Sequence, residues 1–127
     1  MKDIKKKYNA ILKINLKNIE NNYNYLKSIA PKSKIAACVK ANSYGLGSAE
    51  ICKTLYKQNC RDFFVATLEE ALLLRKKYKN INIYMLNGVN NIEAFVEAFN
   101  SNIVIVINNL DQFFILKKFF KVKKKKI

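Results

Sequence analysis

Lys40 is the residue of this chain whose position is best suited to chemistry. It follows the uncharged run 35–39 (IAACV) and precedes residues 41–48 (ANSYGLGS). In parallel α/β folds, catalytic groups collect where strands end, because the loops there converge on one edge of the sheet. A neutral lysine amine at such a point can attack an aldehyde and form a Schiff base. From position alone, the more ordinary interpretation is a lysine whose charged head reaches solvent from a strand end.

The elements that must position Lys40 are a repeated series of strands and helices. Apolar runs predict strands at 35–39, 63–66, 81–86 and 103–107, and each is followed by apolar residues at helical spacing. Strand starts recur about every 20 to 28 residues, which is typical of βα units in a parallel sheet. The run 35–39 is apolar on both faces and predicts a strand that is buried on both sides.

Residues 10–15 alternate apolar and polar side chains, which predicts an additional strand, and a helix pattern follows that should end before Pro31. We therefore expect an α/β fold of about four parallel βα units, preceded by an N-terminal strand and helix. Parallel strands joined by helices form an open doubly wound sheet or part of a closed barrel. The pattern alone does not separate these two solutions.

Several helix residues have predicted structural roles. Thr67 should cap the helix that carries Glu69 and Glu70, whose charges suit the positive end of the helix dipole. Asn109 should cap the last helix. Four aromatic residues lie at core spacing and are expected to be buried: Phe95, Phe99, Phe113 and Phe114.

The formal charge of +15, from 24 Lys plus Arg against 9 Asp plus Glu, would suit a polyanionic partner. The lysines are nevertheless spread along the chain, and only Lys5–Lys7 and Lys121–Lys126 are concentrated, so we expect a solvated surface and no nucleic-acid site. The longest aliphatic run is 103–107, far shorter than the roughly 20 residues that a membrane span needs. Without a signal-peptide core, a cytoplasmic protein is expected.

The three cysteines, Cys38, Cys52 and Cys60, show no C-x-x-C spacing, and the chain has no histidine. We expect buried, reduced thiols. No metal site is predicted.

The residues around Lys40 favour a cofactor role. Residues 39–45 read V-K-A-N-S-Y-G and are followed by Gly47, which resembles the cofactor-lysine motif of the alanine racemases. Residues 10–16, 63–71 and 84–88 are also similar to that family, so the resemblance covers most of 8–115. It implies that residues 1–120 form the N-terminal half of a pyridoxal-phosphate barrel domain, a partial (β/α)8 TIM-type barrel, and that 121–127 form a basic tail.

The resemblance implies roles for two residues. Lys40 would be the Schiff-base residue for pyridoxal 5'-phosphate and the base on the D-alanine face, while Tyr44 would help to hold the cofactor phosphate through its hydroxyl. The cofactor would make the α-proton of alanine acidic, so that L- and D-alanine interconvert. In the family, this reaction supplies D-alanine for peptidoglycan. Leu46 stands where the family usually has histidine, and we assign it no role.

The family's barrel has eight βα units and is followed by a β-rich domain that supplies a tyrosine, the second base, across a homodimer interface. Racemisation needs acid or base groups on both faces of the planar carbon. The resemblance thus implies a truncated fragment that is inactive alone. Two alternatives remain open: a cofactor-binding subunit of a split racemase whose partner chain supplies the missing half, and a basic non-enzymatic binding module.

Overall fold

The computed structural model describes residues 10–124, with side chains described for residues 10–121. Its strands are β1 (Ala37–Cys38), β2 (Asp62–Val65), β3 (Asn82–Met85) and β4 (Val104–Ile105). Its helices are α1 (Leu16–Ile29), α2 (Lys40–Tyr44), α3 (Ser48–Lys57), α4 (Leu68–Lys77), α5 (Ile92–Asn100) and α6 (Leu110–Lys124). The strands form one parallel sheet in the order β1-β2-β3-β4, which confirms the four predicted βα units.

The helices pack against one face of the sheet. Alternate residues of the central strands, Phe63 and Val65 in β2 and Ile83 and Met85 in β3, are buried together with apolar residues of α3, α4 and α5. A doubly wound sheet carries helices on both faces, whereas a barrel carries them only on its outside. The described chain therefore has the arrangement of part of a barrel.

We call the opposite side of the sheet the open face. It is defined by one row of residues that the strand register aligns: Cys38, Phe64, Tyr84 and Val104. Cys38 is exposed, Val104 is 47% exposed, and the rings of Phe64 and Tyr84 stack with centroids 4.6 Å apart. Of the described helices, the short α2 reaches this row at one end, where Tyr44 contacts Cys38.

This one-sided packing corrects the prediction for 35–39. The strand has only two residues, and burial alternates along the run, with Val39 3% exposed and Cys38 on the open face. The run is apolar on both faces, but only the face toward the helices is covered by described residues.

Residues 10–15 do not form the predicted strand. Their apolar side chains are exposed, with Leu12 at 71% and Ile11 at 45%. A strand needs a neighbour to accept its backbone hydrogen bonds, and no described strand lies beside this segment. Asn15 instead caps α1, because its Oδ1 accepts hydrogen bonds from the amides of Lys17 and Asn18.

The predicted helix boundaries are confirmed. Helix α1 ends at Ile29, before Pro31. Thr67 Oγ1 accepts from the Glu70 amide at 3.3 Å, and Asn109 Oδ1 accepts from the Gln112 amide at 2.9 Å. These bonds satisfy amides that a helix start leaves without intrahelical partners.

Arg75, near the end of α4, joins the beginnings of two strands. Its guanidinium donates to the carbonyl oxygens of Ser101 at 3.0 Å and Asn102 at 2.8 Å before β4, and of Ile81 at 2.9 Å before β3. Two further bonds reach the carbonyls of Tyr78 and Lys79. One side chain thus holds the amino ends of β3 and β4 against α4.

The expectation for the four aromatic residues is wrong for three of them. Phe95 is 2% exposed, but Phe99, Phe113 and Phe114 are 38%, 44% and 55% exposed. Helix α6 packs against the core through Ile115, Leu116 and Phe119, which leaves Phe113 and Phe114 on its outer side. The cysteine prediction likewise holds for Cys52 and Cys60 but not for Cys38, although all three thiols are free.

The lysines of residues 10–121 are exposed, as predicted, with Lys40 the one exception. Lys5–Lys7 and the last two residues of Lys121–Lys126 lie outside the described residues. Helix α6 continues to Lys124, so the proposed boundary at residue 120 falls inside a helix, and the division into 1–120 and 121–127 stays a prediction. Among the described residues, no helix is long and apolar enough to cross a membrane.

Candidate functional site

The candidate site lies at the carboxyl end of β1, next to the open face. The β1 pairing extends through the Val39 amide, which donates to the Phe64 carbonyl at 2.8 Å, and Lys40 follows immediately. Lys40 Nζ lies 5.9 Å from the centroid of the Tyr44 ring, and the Tyr44 hydroxyl lies 3.2 Å from Cys38 Sγ. Because Cys38 belongs to the open face, Lys40 and Tyr44 are gathered there.

The Lys40 amine is not committed to another group. Within residues 10–121, it makes no hydrogen bond and no ion pair, and the Tyr44 ring is its one contact of this kind. Lys40 is also only partly exposed, unlike every other described lysine. The structure therefore separates it from the solvated lysines of the surface and leaves its amine available to a ligand.

The backbone after Lys40 turns in an uncommon, left-handed way. The four residues Ala41 to Tyr44 have φ values between 50° and 55°. For residues other than glycine, this conformation costs roughly 1–2 kcal/mol each. Such strain persists where surrounding bonds over-determine it, and it is frequent at functional sites.

Those surrounding bonds are present in this turn. The Ser43 amide donates to the Val39 carbonyl at 2.9 Å, and Ser43 Oγ to Ser48 Oγ at 3.1 Å. Asn42 Oδ1 accepts from the Ser48 amide at 2.8 Å, while Gly45 and Gly47 adopt φ values of 83° and 91° at the exit. The side chains of the motif thus hold the turn itself, and only Lys40 and Tyr44 extend toward the open face.

Glu70, on the first turn of α4, adds a bond from the neighbouring βα unit. Its Oε1 accepts from the Ala41 amide at 2.8 Å, and its Oε2 accepts from the Ala66 amide at 2.7 Å. From the sequence we predicted only a favourable charge at the helix start. The T-x-x-E spacing of Thr67 and Glu70 signals a capping box, but nothing in it shows the bond to Ala41.

Two tyrosines at the open face have raised pKa values: Tyr44, beside Lys40, and Tyr84, in the aligned row of the sheet. The pKa of Tyr44 is raised mainly by its hydrogen bond to Cys38. The pKa of Tyr84 is raised mainly by its hydrogen bond to Asp62, whose Oδ1 accepts from the Tyr84 hydroxyl at 2.9 Å and from Asn82 Nδ2 at 2.8 Å. Both hydroxyls therefore stay protonated at neutral pH. Leu46 is 39% exposed.

The parallel sheet with helices on one face places the chain in the class of (β/α) barrel proteins. In that class, active sites lie at the carboxyl ends of the strands, which is where Lys40 is found. Residues 14–127 match the family described as alanine racemase, N-terminal domain, and the chain belongs to that family.

Relatives and solved structures agree with this assignment. The chain is 48% identical over 115 residues to the alanine racemase of Rickettsia prowazekii (strain Madrid E), covering 90% of this chain and 28% of the relative. A crystal structure of alanine racemase from Bartonella henselae with covalently bound pyridoxal phosphate matches with a TM-score of 0.78 and 34% identity, over 89% of this chain and 31% of that one. Biosynthetic alanine racemase from Pseudomonas aeruginosa matches with a TM-score of 0.76 and 31% identity, over 81% and 28%. The chain thus spans less than a third of the length of these proteins, and its fold matches the N-terminal part of their barrel.

Proposed function

We propose that this chain is the lysine-bearing part of a pyridoxal-phosphate-dependent alanine racemase, and that Lys40 attaches the cofactor. The observation that carries the proposal is the state of Lys40: a partly buried amine without a hydrogen-bonding or charged partner in residues 10–121, at the carboxyl end of β1. The solved relative with covalently bound pyridoxal phosphate supports the same cofactor.

The residues present fit this cofactor. The Lys40 amine is available to its aldehyde, and the exposed Tyr44 side chain beside it offers a protonated hydroxyl to its phosphate. When bound, pyridoxal phosphate supplies an electron sink that makes the α-proton of an amino acid acidic. The open face beside Lys40 leaves space in the described chain for a planar ring.

In this proposal, once the substrate amine has displaced Lys40 from the cofactor, the released Nζ would serve one face of the substrate, where it would remove or return the proton at Cα of alanine. Racemisation needs a second proton donor on the opposite face of that carbon. Tyr44 and Cys38 are the described ionisable side chains that the contacts gather beside Lys40, and both lie at the open face with it. We therefore propose that this chain supplies one half of the reaction and that the rest comes from a further part of the protein or from a partner.

The test compares cofactor attachment in the wild type, in Lys40→Ala and in Lys53→Ala, whose lysine is exposed on α3. Each protein is mixed with pyridoxal phosphate, its visible absorbance is recorded, and the adduct is reduced with borohydride and located by peptide mass spectrometry. We expect an absorbance band and a modified Lys40 peptide in the wild type and in Lys53→Ala, and neither in Lys40→Ala. Equal spectra for all three proteins would contradict the role of Lys40.

A further inference from the structure

The carboxylate of Glu70 joins two strand ends. It accepts three backbone amides: Ala41 at 2.8 Å, Ala66 at 2.7 Å and Thr67 at 3.4 Å. Ala41 directly follows Lys40 at the end of β1, and Ala66 directly follows β2. Hydrogen bonds to an ionised carboxylate are roughly twice as strong as those between neutral groups.

These distances distinguish Glu70 from a residue that only caps a helix. In a capping box, the glutamate reaches back to the amide of the N-cap residue. Here that bond, to Thr67, is the longest of the three, and the two short bonds leave the helix. The Ala41 amide has no other hydrogen-bond partner within residues 10–121, so Glu70 alone satisfies it.

The bond to Ala41 acts on a strained segment. Ala41 has φ 50° and ψ 50°, and it is the first left-handed residue after Lys40. A residue in this conformation returns to ordinary geometry unless its neighbours hold it. The direction in which the Lys40 side chain leaves the backbone depends on that turn.

We propose that Glu70 is a positioning residue for Lys40, whose carboxylate ties the ends of β1 and β2 together so that the Lys40 amine stays at the open face. The inference rests on the proposed function, because it concerns the reactivity of that amine with an aldehyde. It adds a role for a residue that touches neither the cofactor nor the substrate.

The chain offers two matched controls on the same helix. Glu69 is the adjacent acidic residue, is exposed, and its carboxylate makes no hydrogen bond within residues 10–121. Thr67 supplies the other half of the capping box through its Oγ1. Thr67→Ala therefore weakens the start of α4 while the bonds of Glu70 to Ala41 and Ala66 remain.

The decisive variant is Glu70→Gln, which keeps the size of the side chain but replaces one acceptor oxygen with an NH2 group that cannot accept. Two measurements are made on each protein: amide hydrogen exchange at Ala41, and the rate at which pyridoxal phosphate becomes attached to Lys40 relative to Lys53. In Glu70→Gln we expect exchange at Ala41 to be about tenfold faster and attachment at Lys40 about tenfold slower. Glu69→Gln and Thr67→Ala should match the wild type in both.

Two results would overturn the proposal: wild-type exchange at Ala41 in Glu70→Ala, which has no side-chain acceptor whereas Glu70→Gln keeps one, or an equal loss of Lys40 attachment in Thr67→Ala, which would show that only helix stability matters. If the wild type itself attaches no cofactor at Lys40, the proposed function fails. Exchange at Ala41 then still decides whether Glu70 holds the turn.

Discussion

At the scale of single residues, the contact between Cys38 and Tyr44 makes the state of the Tyr44 hydroxyl testable. The hydrogen bond to Cys38 is the main reason why the pKa of Tyr44 is raised. Cys38→Ala removes that partner, so we expect the pKa of Tyr44 to fall toward its ordinary value. NMR titration of tyrosine labelled at the ring carbon next to oxygen measures the change, with Tyr44→Phe to assign the signal.

Tyr23 provides an internal control for that titration. Burial is the main cause that raises its pKa to about 12, and it lies against Cys60 rather than Cys38. Its pKa should therefore stay at about 12 in Cys38→Ala. A Tyr44 pKa that does not move would mean that the thiol is not its partner.

Sequence reasoning could propose Lys40 and Tyr44 as site residues because the motif that carries them is contiguous. Glu70 could be predicted only as a favourable helix-start charge, since its partner Ala41 is 29 residues earlier in the chain. The exposure of Cys38 was also missed, because the run 35–39 is uniformly apolar. Contacts between distant residues and the covering of a face are not encoded in local residue type.

At the scale of elements, α4 is the helix that holds neighbouring βα units together at both ends of their strands. Glu70 joins the carboxyl ends of β1 and β2, and Arg75 joins the amino ends of β3 and β4. Arg75→Lys keeps the charge, but a single ammonium cannot reach carbonyls on both strands in the way a planar guanidinium does.

We expect Arg75→Lys to lower the free energy of unfolding by about 2 kcal/mol, because half-buried carbonyls lose their donors. Urea denaturation measures it. The control is Lys76→Ala, an exposed neighbour whose loss should cost less than about 0.5 kcal/mol. Equal midpoints for Arg75→Lys and the wild type would show that solvent replaces these bonds without cost.

The helices were predictable from sequence because amphipathic spacing and caps such as Thr67 and Asn109 are local signals. The conformation of residues 10–15 was not predictable in this way, because alternating apolar and polar residues indicate a half-buried strand but do not specify the strand that it pairs with. Pairing needs a neighbouring strand, and none is present beside Ile11 and Leu12 in the described chain. The shortness of β1 has the same origin, since β1 pairs on one side only.

At the scale of the whole molecule, the open face sets what this chain can do alone. The series of parallel βα units could be anticipated from the sequence as part of a barrel or as a doubly wound sheet, but only the structure shows that the helices lie on one face and leave the other uncovered. Its row ends at Val104, which is 47% exposed.

We expect the purified chain with pyridoxal phosphate to convert no more L-alanine to D-alanine than the free cofactor does, because in the proposed function Lys40 serves only one face of the substrate and racemisation needs groups on both. Chiral chromatography measures the product. Adding a second polypeptide with the remaining residues of the Rickettsia prowazekii relative should produce activity, and the same mixture with Lys40→Ala should not. Formation of D-alanine at enzymatic rates by the chain alone would refute the need for a second half.

The exposure of Cys38 makes the site chemically vulnerable. Burial raises the pKa of Cys52 to about 11 and also raises that of Cys60, so those thiols seldom ionise and are shielded from reagents. An alkylating or oxidising agent therefore meets Cys38 first, within 3.2 Å of the Tyr44 hydroxyl. Modification of this protein would therefore begin beside Tyr44 and Lys40, and a reducing agent would protect the candidate site before it protected the buried core.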